Sequence, residues 1–427
     1  MTEPKKAEQP QRGSGLGRAV NRRLERFGGR GGPLASDRVR GLAPLLVVLA
    51  LGILYPLYAE WLKDVPAIGE FFPSVGSGVI ILVFTMMALG LNIVVGYSGL
   101  LDLGYVAFYA AGAYMAGWFA SQQFEQVTFH FGAVGIGPEV PGIHLSMWLI
   151  LILAGIFTAA VGIVIGLPTL RLRGDYLAIV TLGFGEIVPQ FVRNGDSIRG
   201  FDLTHGTFGI TPIDSPGFGE SLNSTIGLPN SFQQSFDAEN LFYWTALALV
   251  LITVFCSVRL RDSRLGRAWI AIREDETAAA AMGVPLMRTK TWAYALGAFF
   301  GGISGAYYAS FKAGAFPSDF YFNISIFLLC MVILGGMGSV WGVIAAGIVL
   351  GWLNIEGLAV IGDKLNHNFF RPVFDTTIEV PKYQFGIYGV VIVLMMLFRP
   401  TGLIPERRRK QEMEEGVSDE TLYGTQA

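Results

Sequence analysis

The stretch that decides the fold is YFNISIFLLCMVILGGMGSVWGVIAAGIVLGWLNIEGL, residues 321–358. It holds two apolar runs, 321–337 and 340–358, with almost nothing between them. Each run has roughly the 20 residues that a helix needs to cross a hydrocarbon layer about 30 Å thick. The stretch is also rich in glycines, which let helix backbones approach closely in lipid. It therefore predicts a pair of close-packed transmembrane helices.

The rest of the chain has the same character. Of its 427 residues, 52% are hydrophobic and only 15% are charged, which is outside the range of ordinary soluble domains. The predicted fold class is an all-α polytopic membrane protein with about ten transmembrane helices, some of them discontinuous. The ten candidate spans are 42–58, 76–95, 101–119, 147–167, 176–192, 241–258, 291–311, 321–337, 340–358 and 383–398.

The fifth span differs from the others in composition. Its sequence, YLAIVTLGFGEIVPQFV, is short and carries Gly183, Gly185, Glu186 and Pro189. Such a composition predicts a broken or partly unwound helix that faces protein or a cavity.

Basic residues are distributed unevenly between the two sets of loops. The loops 1–41, 96–100, 168–175, 259–290, 338–339 and 399–427 hold 24 Lys and Arg residues, whereas the remaining loops hold 7. Because cytoplasmic loops carry the excess of Lys and Arg, we expect both termini to be cytoplasmic.

This orientation divides the chain into three parts. We expect a basic cytoplasmic segment at 1–41, a membrane domain at 42–398 and a cytoplasmic tail at 399–427. The basic segment is either an amphipathic helix on an anionic leaflet or a flexible tail. The membrane domain would include a cytoplasmic loop at 259–290 and a large periplasmic loop at 193–240.

The motifs of enzymes and metal sites are missing from the sequence. It contains no G-x-x-x-x-G-K-[ST] loop, no G-x-S-x-G elbow, no H-E-x-x-H helix and no paired Cys motif. We therefore expect no catalytic residues, no bound metal and no cofactor in this chain, which leaves a transporter, a channel or a scaffold. The histidines and cysteines are isolated in the sequence and show no metal-ligand spacing; they are His130, His144, His205, His367, Cys256 and Cys330.

Two acidic residues inside the candidate spans are possible functional sites. Glu186 lies near mid-membrane, where a carboxylate is costly, so it is either a contact for a substrate amine, a coupling-proton site or a structural prop for a broken helix. Asp102 lies at the start of its span, where a carboxylate can cap a helix N-terminus or serve the pathway.

The loop at 259–290 contains a short charged segment, EDETAAAAMGVP, at 274–285. The acids at 274–276 favour the N-terminus of a helix, and Gly283 favours its end. The alanine face would let another surface approach, while Arg264, Arg267, Arg273 and Arg288 would supply charge for docking. The alternative is an interfacial loop helix without a partner.

Several motifs, in the same order, resemble the permease subunits of Liv-type branched-chain amino-acid ABC importers, and the longer of their two permeases is the more similar. The motifs are NIVVGYSGLLDLGYVAFYAAGAYMAG (92–117), LRGDYLAIVTLGFGEIV (172–188), GRAWIAIREDETAAAAMGV (266–284), ILGGMGSVWGVIAAGIVLG (333–351) and FRPTGLIP (398–405). The resemblance implies a complex with a shorter sister permease, a periplasmic binding protein and two cytoplasmic ATPase subunits that bind ATP and magnesium.

The resemblance also implies a role for the charged segment, because it is similar to the coupling helix that docks into an ATPase subunit. Gly283 matches the glycine of the family's E-A-A-x-x-x-G pattern, and Thr277 stands at its acidic position, one residue after Glu276. The implied coupling residues are Arg273, Glu274, Asp275, Glu276, Ala278, Ala279 and Gly283.

The expected function is therefore that of an inner-membrane permease subunit for leucine, isoleucine and valine. Related permeases carry urea, short amides or other amino acids, and these substrates stay open. An ion-coupled secondary transporter that uses Glu186 and a membrane scaffold are the alternatives from other classes.

Overall fold

The chain is almost entirely helical in the computed structural model, which describes residues 37–63, 65, 69–133, 139–172, 174–197, 200–217, 238–367, 379–399 and 402–404. The chain divides into two compact units, Met1–Tyr55 and Pro56–Ala427. All the sites discussed below lie in the second unit. Residues 1–36 of the basic segment, residues 218–237 of the predicted periplasmic loop and the tail from 405 onwards lie outside the described residues.

The α-helices of the described residues are numbered in chain order. They are α1 Asp37–Lys63, α2 Val75–Leu91, α3 Val106–Phe119, α4 Met147–Thr169, α5 Asp175–Arg193, α6 Ala238–Asp262, α7 Arg264–Glu274, α8 Glu276–Ala281, α9 Leu286–Phe311, α10 Phe322–Gly335, α11 Val340–Trp352, α12 Leu358–Leu365 and α13 Gln384–Phe398. Two π-helical stretches extend α2 through Asn92–Tyr97 and join α11 to α12 through Leu353–Gly357.

A small sheet lies beyond one end of α3. Its strands are β1 Ala120–Ser121, β2 Thr128–Phe131 and β3 Gly142–Leu145, in the order β1-β3-β2. β1 pairs with β3 antiparallel and β2 pairs with β3 parallel.

A helix lies within each of the ten candidate spans, as the apolar runs predict. Two shorter apolar helices are Leu49–Ala59 and Phe322–Gly335. The helical stretches long and apolar enough to cross a membrane, by length and composition, are Gly69–Tyr97, Met147–Thr169, Ala238–Asp262, Val340–Leu365 and Val380–Phe398. The fold is therefore that of an all-α polytopic membrane protein.

The helix α9 is the centre of the packing, since it runs along α3, α4 and α2. Glycines at its contacts let the backbones touch: a Cβ atom on Gly112 of α3 would lie 2.6 Å from the Cα of Gly302 on α9. In lipid there is no hydrophobic driving force between helices. Small residues at such crossings stabilise the packing instead, because they allow van der Waals contact between the backbones.

The prediction of a broken fifth span is wrong, because α5 is continuous from Asp175 to Arg193 and includes Pro189. The physical reason is that Gly185 serves helix packing. A Cβ atom on Gly185 would lie 3.4 Å from the Cα of Gly104, so this glycine marks a close helix crossing and not an unwound turn.

Non-helical backbone occurs instead between α2 and α3 at residues 98–105, where the first five residues of the third candidate span are not helical. Side chains of two other helices satisfy amides at this point: Thr181 Oγ1 on α5 accepts from Leu103 N at 3.0 Å, and Ser325 Oγ on α10 accepts from Val106 N at 3.0 Å. Non-helical backbone inside a membrane protein is tolerated where protein buries it and satisfies its polar groups. We call residues 98–104 the linker segment.

The glycine crossing gives a direct stability test. We expect Gly112→Val to lower the free energy of unfolding by about 1–3 kcal/mol, because the backbone of Gly302 cannot move aside. Gly389→Val is the matched control, since Gly389 lies exposed within α13 and a Cβ atom on it would meet no described atom within 4 Å. Thermal unfolding of the two variants in detergent measures the difference, and equal stabilities would refute the packing role of Gly112.

Candidate functional site

The segment before α9 consists of two helices that fold back on the membrane domain. Ser263 caps α7 by accepting a hydrogen bond from Gly266 N at 3.1 Å. Trp269 is completely buried, and its Nε1 donates to the carbonyl oxygen of Thr289 at 2.8 Å. The helix α7 is therefore fixed to the start of α9.

The short helix α8 is closed at both ends by local hydrogen bonds. Asp275 Oδ1 accepts from Thr277 N at 2.7 Å and from Ala278 N at 2.9 Å. At the other end Gly283 has a φ of 86°, and its N–H donates to Ala280 O at 3.0 Å. A glycine adopts this left-handed conformation without the steric cost of a side chain, so the chain can end α8 there and turn into α9.

An ion pair joins α8 to α9. Lys290 Nζ lies 2.8 Å from Glu276 Oε1, and the lysine side chain is only 4% exposed. A buried ammonium group without a counter-charge would be costly. Glu276 therefore holds α8 in place and is not simply a charge on an open surface.

Two of the predicted docking residues lie elsewhere than expected. Glu274 ends α7 and does not open α8, because Asp275 takes the capping position. Arg273 points towards the membrane domain, where its Nη1 donates to the carbonyl oxygen of Gly96. The expectation that the Arg273 side chain offers charge to a partner is therefore wrong.

The outer side of α8 remains uncovered within the described chain. Met282 is 86% exposed, and most of its neighbours on this side are small. Ala279, in contrast, is buried beneath the helix. We call the exposed residues Thr277, Ala278, Ala280, Ala281, Met282 and Gly283 the α8 surface.

Asp102 is fully buried in the linker segment. Its Oδ1 accepts from Gly104 N at 2.9 Å, and Tyr294 interacts with the same carboxylate. The first amide of α3, Val106 N, is satisfied by Ser325 and not by Asp102. The carboxylate thus holds the bend before α3 and does not cap the helix, which corrects the predicted capping role.

Glu186 lies on an exposed face of α5, and in the described part of the chain it makes no hydrogen bond or ion pair. It lies on a shallow, open groove along one face of α5, together with Ile187, Gln190, Phe191 and Asn194. With α5 unbroken, Glu186 cannot be the prop of a helix break. We call this mainly apolar surface, which carries a few polar groups, the α5 groove.

A buried histidine lies at the sheet end of the molecule. His144 Nδ1 lies 2.7 Å from Asp214 Oδ2, and the ring of His130 packs edge-on against His144. Burial raises the pKa of the Asp214 carboxyl above its ordinary value. Among the described residues no group of three or more His, Cys, Asp or Glu side chains could hold a metal ion.

The α8 surface and the α5 groove lie on a domain with several helices long and apolar enough to cross a membrane, so the protein is a multi-pass membrane protein. A family model described as the branched-chain amino acid transport system permease component matches residues 76–397, and the chain belongs to this family.

Individual relatives carry names that agree with the family. The Escherichia coli K12 protein named high-affinity branched-chain amino acid transport system permease protein LivM is 36% identical over 355 residues, which cover 81% of this chain and 73% of the relative. A probable LivM of Methanocaldococcus jannaschii is 25% identical, with 76% and 91% covered. The E. coli K12 permease LivH is 24% identical, with 42% and 51% covered. No solved structure matches the chain.

The turn after α8 predicts a specific defect. We expect Gly283→Pro to abolish transport while the chain stays in the membrane, because proline cannot adopt the φ of 86° and lacks the N–H that bonds to Ala280. Gly283→Asn is the matched control and should keep most of the activity, since asparagine tolerates the left-handed region. Membrane content by immunoblot and substrate uptake are measured together. Loss of Gly283→Pro from the membrane would mean that the turn serves folding only.

Proposed function

We propose that this chain is the longer permease subunit of an ATP-driven importer for leucine, isoleucine and valine. It would work beside a shorter sister permease, two ATPase subunits and a binding protein that delivers the amino acid. Support comes from the names of its relatives, since two LivM permeases are each 36% identical to this chain. The observation that carries the proposal is the α8 surface, an anchored helix whose small outer residues would fit against a partner.

In this proposal the α8 surface faces the cytoplasm of a bacterium whose inner membrane holds the importer. The excess of Lys and Arg in loops on that side supports this orientation and two cytoplasmic termini. The sheet lies at the opposite end of α9, since Ile210 bridges to Ala315 just beyond the end of this helix. The sheet and the loop at 193–240 would therefore face the binding protein.

The coupling would be mechanical. The ATPase subunits would bind ATP and magnesium, and this chain would need no cofactor of its own. Their closure would displace α8, which is held to α9 by the Glu276–Lys290 ion pair and joined to α7 by the bond from Asp275 N to Ala271 O. A rigid attachment of this kind converts a push on α8 into movement of the spans.

The α5 groove would form this chain's side of the translocation path. Glu186, Gln190 and Asn194 give it polar contacts, while Ile187 and Phe191 give it apolar ones. A branched-chain amino acid carries both an ammonium group and an apolar side chain. The Glu186 carboxylate would attract the ammonium group, and its exposure would keep the contact weak enough to release the substrate.

The same groove keeps one alternative open. An exposed carboxylate on a membrane helix also suits an ion-coupled secondary transporter. Permeases for urea or short amides remain alternatives within the family, but neither substrate group carries a permanent positive charge that needs Glu186.

The pathway role of Glu186 predicts a partial defect. We expect Glu186→Gln to reduce leucine uptake by about tenfold without abolishing it, because the amide keeps the shape and loses one charge contact to the ammonium group. Asp363→Asn is the control, since Asp363 is an exposed acid of α12 that lies outside the α5 groove and the sheet. Initial rates of uptake over a range of leucine concentrations measure both. Wild-type rates for Glu186→Gln would remove Glu186 from the path.

The function itself is tested with labelled leucine. The chain is reconstituted in proteoliposomes with its sister permease, ATPases and binding protein, and ATP or a non-hydrolysable analogue is placed on the ATPase side. We expect uptake that needs ATP, the binding protein and this chain together. Uptake that follows a proton or sodium gradient without ATPases would establish the secondary transporter instead, and uptake of urea alone would correct the substrate.

A further inference from the structure

A joint between α7 and the membrane domain is formed by Arg273. Its side chain leaves α7 and crosses the linker segment, where a Cβ atom on Gly99 would lie 2.6 Å from Arg273 Cγ. Gly99 has a φ of 70°, so both its conformation and the available space favour glycine. The guanidinium then donates Nη1–H to the carbonyl oxygen of Gly96.

Gly96 belongs to the π-helical turn Asn92–Tyr97, which contacts other elements as well. Asn92 Oδ1 accepts from Gly338 N at 2.9 Å, in the tight turn between α10 and α11. Tyr97 Oη lies 2.9 Å from Ser257 Oγ on α6. π-Helical turns often mark functional sites, and their extra residue makes them points where a helix can change its geometry.

The linker segment continues from this turn to the helix that carries the α5 groove. Leu103 N donates to Thr181 Oγ1 on α5 at 3.0 Å. Gly104 lies against the same helix, since a Cβ atom on it would lie 3.0 Å from the carbonyl carbon of Thr181. Thr181 and Glu186 are five residues apart on one helix. Arg273 is thus connected to the α5 groove through a continuous set of contacts.

We propose that Arg273 is the positioning residue that transmits displacement of α7 and α8 to the linker segment and through it to α5. Arg273 touches neither substrate nor an ATPase subunit in this assignment and acts only through the backbone at 96–104. The linker segment suits this task, because its non-helical backbone can shift while α3 and α5 stay intact. The proposal deepens the proposed function, since it rests on α8 being the ATPase contact.

The choice of arginine follows from the geometry of the joint. Its long apolar stem packs on Gly99 while the guanidinium reaches a backbone carbonyl with a directed N–H. A lysine ammonium is a point charge without this planar fork, so the two residues are not equivalent here. If Arg273 served only as a positive charge for docking, lysine would replace it without loss.

The test measures the linker segment itself. Amide hydrogen exchange is followed by mass spectrometry in the complete complex, with and without ATP, for the wild type and Arg273→Ala. We expect ATP to change exchange in residues 92–105 and 175–193 of the wild type. In Arg273→Ala this change is lost, while the change in 264–283 and in the ATPase subunits remains. Arg259→Ala is the control, because Arg259 is an exposed arginine whose guanidinium lies over Phe255.

Uptake and hydrolysis give a second readout. We expect the number of amino acids transported per ATP hydrolysed to fall about tenfold in Arg273→Ala, the scale of a typical coupling free energy. The ATPase subunits should still copurify with the variant. Arg273→Lys should recover only part of the loss, and Gly99→Val should reproduce the defect with the arginine present, because the added side chain displaces the arginine stem.

Three results would overturn the proposal. They are a wild-type exchange response in Arg273→Ala, loss of ATPase copurification in that variant, and full recovery by Arg273→Lys. If Arg273→Ala does not accumulate, the lysine and Gly99→Val variants decide by the same measurements. Because the exchange response needs ATP but no transported substrate, a failure of leucine uptake in the wild type would overturn the proposed substrate and leave this test intact.

Discussion

The structure depends on the close contact between α3 and α9, where Gly112 meets Gly302 backbone to backbone. Lipid is as apolar as the helices themselves, so contact of this kind and satisfied backbone polar groups must hold the spans together. With α9 fixed against α3 and α4, the residues at its start have a rigid support. Lys290 then anchors α8 through Glu276, and Thr289 anchors α7 through Trp269. The α8 surface is therefore rigidly attached to α9.

The second constraint is the supply of hydrogen-bond partners to non-helical backbone. The linker segment can exist inside the protein because Thr181 and Ser325 side chains take up the amides of Leu103 and Val106. The same bonds tie the segment to α5 and α10. The bond from Leu103 N to Thr181 satisfies a buried amide. It also connects α5, which carries the α5 groove, to the linker segment, which contacts α7.

The sequence predicts the positions and type of the helices well, because runs of apolar residues report membrane helices directly. It also predicts the short helix and its glycine stop, whose signals are local. The prediction of a broken fifth span is wrong because Gly185 looks the same in sequence whether it unwinds a helix or lets Gly104 approach. The direction of Arg273 is missed for a related reason: a hydrogen bond to Gly96, 177 positions away, has no local signal. The exposure of Glu186 likewise depends on the packing of all the neighbouring helices.

The most direct measurement identifies what touches the α8 surface. Met282→Cys, in a chain with Cys256 and Cys330 replaced by serine, places one reactive thiol on the 86% exposed site. In the assembled complex a short cysteine-to-lysine cross-linker should join it to an ATPase subunit, and the yield should change with ATP. Phe208→Cys, 80% exposed at the sheet end, should give no such product. Absence of a cross-link from Met282→Cys, with an ATPase product from Phe208→Cys, would contradict the assignment of α8 as the ATPase contact.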